Sequence, residues 1–388
     1  MGKNVHISLV GGQTYPVYLG IAEQLADAKP DIVVLVHSAS SHAEAQRIAA
    51  EFASTGIPFI YEQCDPVNVK QVLDKSRMMA ETMSDDDHYT LNLTSGTKVW
   101  SIVFHEAFEK KPHVRFIYVD QSCVLYDLST GESRQGDHVD TDRVFRLNGT
   151  ETLRYFNFND FTDNDLQVLK KIQWLYNASH GAFTALTVAS TADHQQMFNR
   201  TSGEYEKQGS SIEWDRNKNT IALRIKPRFG NMKSARLSSP HIFDLVLNAG
   251  WFEAEVARHL SKWEHSREVR MNVEFPYKEG NPKNEIDVIV NTGTRLLFVE
   301  CKTSIRNLTD LDKFSKAVHN YGGTGCHALF VSYTSMSSEA IQKCRDNGVI
   351  PFSFRDALKA THGNSQPDVI TNALHRLLNE RLFIINKK

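Results

Sequence analysis

The sequence predicts an α/β protein with two α/β domains, an N-terminal doubly wound one on a mostly parallel sheet and a C-terminal one built around a hairpin. Three observations predict it. The first 128 residues alternate short β-branched runs with Ala- and Glu-rich helical stretches. Asp31–Val36 reads DIVVLV, a continuous apolar run of the kind that a strand buried on both faces requires. Beyond residue 240 an amphipathic stretch precedes NEIDVIVNTGTRLLFVECKT, two apolar runs around a Thr-Gly-Thr turn.

The elements follow in order. Val5–Val10 is a short apolar run stopped by Gly11-Gly12. Residues 16–28 read as helix, 31–36 as strand, 41–54 as helix and Pro58–Tyr61 as strand. Residues 67–82 read as helix, Tyr89–Leu93 as strand and 98–110 as helix. Arg115–Val119 and Val124–Leu128 are two further strands. Residues 129–142 (STGESRQGDHVDTD) are polar and Gly/Asp-rich, the composition of a loop or boundary. A helix is expected over 160–178, poorly periodic polar chain over 190–218, and a strand at Thr220–Lys226. The weak pattern of the middle is compatible with a small winged-helix-like unit. One amphipathic helix is expected over 242–261, then strands at 269–275, Glu285–Asn291 and Arg295–Cys301. Residues 309–320 and 336–347 read as helices, and 328–332 and 349–353 as strands. This gives domains at 1–150 and 239–388 joined by a connecting region, 151–238, with some helix and a hairpin.

Bulk properties narrow the function. At 388 residues the chain has room for two or three domains with sizeable cores. A 41% hydrophobic and 23% charged composition is that of a soluble globular protein. A net charge of −2 and a pI of about 6.8 exclude a basic coat for nucleic acid, so any such contact belongs in a cleft. Five scattered cysteines without a CxxC pair point to a reducing cytoplasm and away from structural zinc. Met1-Gly2-Lys3-Asn4 runs directly into a strand, so no signal peptide is expected, and His6 stands where a myristoylation motif needs Ser or Thr. No apolar run is long enough to cross a membrane.

In a doubly wound sheet, ligands sit beyond the carboxyl ends of the strands. Those ends carry Gly11-Gly12-Gln13-Thr14, His37-Ser38 and Thr94-Ser95-Gly96-Thr97-Lys98. The third opens into a helix, whose N-terminal amides and dipole favour an anion, and Lys98 adds a positive charge. Neither GxGxxG nor a Walker loop is present, so a dinucleotide or nucleoside triphosphate is not indicated. Taken one at a time, these are ordinary β–α turns.

The hairpin carries the chemistry. Alternation on a strand puts Glu300 and Lys302 on one face, about 7 Å apart, with Cys301 and Val299 on the other. The turn folds Asp287 back beside them. Three ionisable groups in an otherwise apolar hairpin are costly unless they pair or hold a metal. Two converging carboxylates suit Mg²⁺ or Mn²⁺, and Lys302 suits a phosphorane oxygen or an attacking water. Glu253 is the expected third carboxylate; Glu255, two residues on, does not share its helix face. The bland reading is a surface Glu300–Lys302 ion pair, which the apolar run LLFVECK opposes.

Glu253, Asp287 and Glu300-Cys301-Lys302 together resemble the PD-(D/E)XK nuclease superfamily. The resemblance implies a restriction-endonuclease-like α/β domain. It implies catalysis by Asp287, Glu300, Lys302 and Glu253, and a metal held by Asp287, Glu300, Glu253 and the Cys301 carbonyl. Ile286 stands where the superfamily often has Pro. The N-terminal pattern, with Gly11–Thr14 and Thr94–Lys98, resembles a Rossmann-like CARF domain, a sensor of cyclic oligoadenylates in type III CRISPR defence. The two together resemble CARF-fused nucleases activated by cyclic oligoadenylate. That implies a homodimer using Mn²⁺ or Mg²⁺ to cut DNA, single-stranded RNA or both, switched on by a ring such as cyclic tetra-adenylate. Gly12, Gln13, Thr14, His37, Ser38, Thr94, Ser95, Gly96, Thr97 and Lys98 are the residues expected to meet the ring. An even-membered ring has twofold symmetry, so a C2 dimer would offer it two copies of the Thr94–Lys98 turn.

Competing readings are weaker. Arg236 and His241 match the spacing of metal-independent HEPN ribonucleases, but Pro240 interrupts the helix which that motif needs. A ligand-sensing DNA-binding regulator would not place converging carboxylates against phosphate. A restriction or repair nuclease with a different N-terminal ligand is the third alternative. Trp174, Trp214 and Trp263 read as packing residues, and Asp85-Asp86-Asp87 as a solvated loop.

Overall fold

The computed structural model describes residues 2–120, 122–188, 192–277, 279, 283–293, 295–305, 307–323, 325–360 and 368–383, without the side chains of 192–194 and Asn248. The chain divides into two compact units. The first contains Met1–Thr152 and two pieces of later chain, Gly293–Leu296 and Val318–Cys326. The second contains Leu153–Thr292, Leu297–Ala317 and His327–Lys388.

The first unit runs β1 (Asn4–Val10), α1 (Tyr15–Asp27), β2 (Ile32–His37), α2 (His42–Glu51), β3 (Phe59–Gln63), α3 (Val69–Thr82), β4 (His88–Asn92) and α4 (Lys98–Phe108). Then come β5 (Val114–Val119), β6 (Val124–Asp127), β7 (Ser133–Gln135) and α5 (Thr141–Leu147). The sheet order is β3-β2-β1-β4-β5-β6-β7. Strands β1 to β5 pair in parallel, and β6 and β7 add on in antiparallel. The β-branched runs explain why. Val34 and Val36 of β2 enter one core with Ile7 and Leu9, whereas Val33 and Leu35 enter another with Val17 and Ile21. A strand feeding cores on both faces has to be apolar throughout. The polar stretch 129–142, expected as loop, contributes β7 and the start of α5, because Asp140 caps that helix by accepting from the Arg143 amide at 2.8 Å.

The second unit runs β8 (Arg154–Asn157), α6 (Asp163–Ala178), α7 (His180–Thr187), α8 (Ala192–Phe198), β9 (Ser202–Lys207), β10 (Ser210–Asp215), β11 (Thr220–Ile225) and β12 (Lys233–Ser238). It continues with α9 (Ile242–Val246), α10 (Gly250–Ser261), β13 (Glu268–Glu274), β14 (Glu285–Asn291), β15 (Leu296–Lys302) and α11 (Thr309–Gly322). β16 (His327–Ser332), α12 (Ser338–Asp346), β17 (Val349–Ser353), α13 (Phe354–Ala360) and α14 (Val369–Leu382) complete it. One sheet has the order β17-β16-β15-β14-β13-β8, the other the order β12-β11-β10-β9. A single core joins Leu169, Trp214 and Leu223 to Trp251, Val288 and Val299.

One expectation is corrected in this unit and another is filled in. The poorly periodic residues 190–218 carry, where described, a helix at 192–198 and the paired strands β9 and β10. Their outward side chains (Glu204, Glu206 and Lys207 among them) dilute the apolar period that would have marked them. Residues 242–261 are two helices, not one. Ala249 turns left-handed at φ 70°, and Gly250 passes so near the Asp244 carbonyl oxygen that a β-carbon there would overlap it.

Candidate functional site

The first unit brings the predicted loops together. Its strand order reverses direction between β1 and β4, the switch point at which such sheets bind ligands. There the Gly11 amide donates to Ser95 Oγ at 3.0 Å, so the loops after β1 and β4 touch. The ten expected residues divide by role. Gly12, Gln13, Gly96 and Lys98 are exposed at the loop crests. Thr97 caps α4 by accepting from the Trp100 amide at 3.2 Å, and Thr94 Oγ1 accepts from the Val119 amide at 2.8 Å. His37 is buried and packs on His42, with Nε2 of His37 3.2 Å from Nδ1 of His42. Ser38 closes a reciprocal cap with Ser41. Thr14 Oγ1 is buried and, among the described residues, without a hydrogen-bond partner.

In the second unit, β14 supplies Asp287 and β15 supplies Glu300, Cys301 and Lys302. The carboxylates are buried, Asp287 at 6% exposure and Glu300 at 2%. The Cys301 amide donates to Asp287 Oδ2 at 2.7 Å, which pins Asp287 against β15. Lys302 Nζ lies 2.6 Å from Glu300 Oε1 and 3.8 Å from Asp287 Oδ2. Sequence reasoning missed a second ammonium. Lys283, just before β14, pairs with Asp287 Oδ1 at 3.3 Å and with Glu300 Oε2.

Burial raises the pKa of any carboxyl, but Lys283, Lys302 and the Cys301 amide hold Asp287 below the usual carboxylate range. Glu300 is pushed up by burial and then by the Asp287 charge. Burial alone would lower Lys302; Asp287 and Glu300 more than offset it and hold the ammonium charged.

Glu253, on α10, is bonded by Asn272 Nδ2 at 2.9 Å. Burial and the nearby Asp287 charge push its carboxyl up to about 8. Asn272 was also missed. It sits at φ 49° on β13, where pairing to β8 slips between Met271 and Glu274. Such bulges re-aim side chains beside active sites. Glu255 points elsewhere, paired with Arg258 at 2.7 Å and His259 at 3.1 Å. A cavity of about 710 Å³ adjoins the carboxylates, lined by Arg154, Tyr155, Arg216, Glu253, Lys283 and Asp287 among others. Arg236 lies on β12 and His241 pairs with Asp165 at 3.1 Å, so the two share no helix.

The donor chemistry suits a hard divalent cation. Asp287 and Glu300 already converge on one cation, the Lys283 ammonium. Among the described residues no three His, Cys, Asp or Glu side chains close on a common point. The set is therefore two converging carboxylates, and Mg²⁺ is commonly bound by one or two carboxylates with waters completing its shell. Among the described residues no helix is long and apolar enough to cross a membrane.

Residues 5–138 match the family model of the Card1 CARF domain, and residues 250–354 that of a domain of unknown function, DUF4143. No curated protein matches the chain by sequence. Solved structures share its fold, these three among them. Can2 from Sulfobacillus thermosulfidooxidans, in complex with cyclic tetra-adenylate, is 19% identical over 98% of this chain and 99% of its own, with a TM-score of 0.62. Protein VC1899 from Vibrio cholerae is 16% identical over 96% and 97%, with a TM-score of 0.70. A type III CRISPR defence DNA nuclease activated by cyclic oligoadenylate is 16% identical over 94% of this chain and 52% of its own, with a TM-score of 0.54. The fold is thus a Rossmann-like CARF domain with a second α/β domain.

Proposed function

We infer that the chain is a metal-dependent endonuclease of the PD-(D/E)XK type, activated by a cyclic oligoadenylate at its CARF domain and acting in CRISPR antiviral defence. One observation carries the reading: Asp287, Glu300 and Lys302 converge on two adjacent strands in a chain whose N-terminal third matches a CARF model. The similarity to Can2, solved with cyclic tetra-adenylate, makes that ring the first activator to try. Gly12, Gln13, Gly96 and Lys98 are exposed at the switch point and would meet it. Thr14, His37, Ser38, Thr94, Ser95 and Thr97 shape the loops behind them. A homodimer would give a twofold ring two equivalent turns.

Asp287, Glu300 and the Cys301 carbonyl would hold Mn²⁺ or Mg²⁺, with Glu253 at the margin. Bound there, the ion supplies a polarised phosphate oxygen and a more acidic water. Lys302, fixed by Glu300, presents a permanent positive charge to the phosphodiester. Burial and the Asp287 charge disfavour the ionised Glu253, and a cation bound beside it would favour that form. DNA and single-stranded RNA are both candidate substrates.

The test is direct. Purified protein is incubated with Mn²⁺, labelled single-stranded RNA and plasmid DNA, with and without a panel of cyclic oligoadenylates. Cleavage that requires a ring and is abolished by EDTA is expected. Equal rates with and without every ring would overturn the switch, and cleavage that persists in EDTA would overturn the metal site.

A further inference from the structure

Lys283 lies outside the nuclease motif, yet it touches both of that motif's carboxylates. The four carboxylate oxygens are shared out between two lysines. Lys302 takes Glu300 Oε1 at 2.6 Å and Asp287 Oδ2 at 3.8 Å. Lys283 takes the remaining pair, Asp287 Oδ1 at 3.3 Å and Glu300 Oε2. Two buried carboxylates cannot stay ionised side by side without compensation, and the second ammonium supplies it. The two lysines differ in how they are held. Lys302 is within strand β15, so its reach is set by the sheet. Lys283 precedes β14, outside the strand, and lines the cavity with Glu253 and Glu285.

We propose that Lys283 is an internal counter-cation: its ammonium holds the place of a divalent cation between Asp287 and Glu300, and metal binds by displacing it into the adjoining cavity. The inference rests on the reading of Asp287 and Glu300 as metal ligands. A single-charged ammonium keeps the carboxylates converged. A doubly charged ion then replaces it without the site having to be built at that moment. In the cavity the freed ammonium stays near the metal, where a phosphodiester would lie, so one lysine serves two anions in turn.

The test uses the full-length wild-type protein without nucleic acid. Brief acetylation with an N-hydroxysuccinimide ester, followed by peptide mapping, reads the exposure of each lysine amine. Lys283 should label at least five-fold faster when saturating Mn²⁺ is present, with Lys302 unchanged. Equal labelling of Lys283 with and without Mn²⁺ would overturn the displacement. A second arm measures Mn²⁺ binding by titration calorimetry on Lys283→Met and Lys283→Gln. Both should bind at least five-fold more tightly than wild type, because the competitor is gone. Unchanged or weaker binding by the variants, with wild type binding normally, would show Lys283 to be no competitor. Absence of Mn²⁺ binding by wild type and variants alike would instead sink the metal-site reading on which the proposal stands.

Discussion

Substituting alanine for Gly96 should destabilise the CARF domain and distort the β4–α4 turn proposed to meet the ring, while leaving the carboxylates untouched. Gly96 has φ 82°, a region that costs an L-residue about 1–2 kcal/mol. A β-carbon there would lie 2.8 Å from Trp100 Cε3. The indole has nowhere to go: Trp100 is 1% exposed, and its Nε1 donates to the Asp65 carbonyl at 2.8 Å. Overpacking of that kind costs about 1–3 kcal/mol. The sum is about 2–5 kcal/mol, which for a domain of this size lowers the melting temperature by about 4–20 °C. Differential scanning calorimetry of the full chain reads the first transition, and titration calorimetry with cyclic tetra-adenylate reads the loop. Binding should weaken at least ten-fold. A variant that melts within 1 °C of wild type would refute the packing argument, and one with unchanged affinity would remove the β4–α4 turn from the ligand site.

Further outcomes are expected elsewhere. Asp287→Asn should lower cleavage at least about 100-fold, the scale on which a lost transition-state charge partner acts, while retention of labelled nucleic acid in a filter assay is unchanged. Tyr15→Phe removes a hydrogen bond from the phenol to the Gly293 carbonyl at 2.8 Å, and chemical denaturation should show a loss of about 1 kcal/mol. Asp165 gives a pH signature. Burial would raise its carboxyl, but bonds from Thr162 and His241 outweigh it and hold the folded value down to about 2, below the usual 3.8. Its contribution, about 2 kcal/mol, is therefore complete above pH 4 and is lost as pH falls toward 2. Asp165→Asn should flatten the melting temperature over that window; an unchanged slope would contradict the assignment.

The parallel sheet was readable because a strand buried on both faces must be a continuous apolar run, and IVVLV is one. The hairpin was readable for the opposite reason: Asp287, Glu300 and Lys302 are charges where an apolar run forbids them. Lys283 and Asn272 escaped because their approach depends on the backbone. One stands outside the strand, and the other is turned by a left-handed residue within a register slip. Periodicity carries no trace of either, although the charge of Lys283, four residues before Asp287, was a signal available to a reader looking past the strand. In the loops beyond β1 and β4, residue type marked the switch point of the sheet but did not separate Lys98, exposed at the crest, from Thr94 and Thr97, which bond the backbone. The break at Ala249 was hidden because both halves of 242–261 bury apolar faces in one core.

The interleaving of the two units limits how this chain can be taken apart. Strand β15 begins at Leu296, in the first unit, and ends at Lys302, in the second. Helix α11 starts in the second and finishes in the first. A protease nick or a stop codon near residue 152 would therefore leave the first unit without Gly293–Leu296 and Val318–Cys326. Exchange of that unit between relatives by one crossover would carry the same defect. Recombination that keeps both parts whole has to move those short insertions along with the N-terminal block, so the CARF domain and the second α/β domain are inherited together.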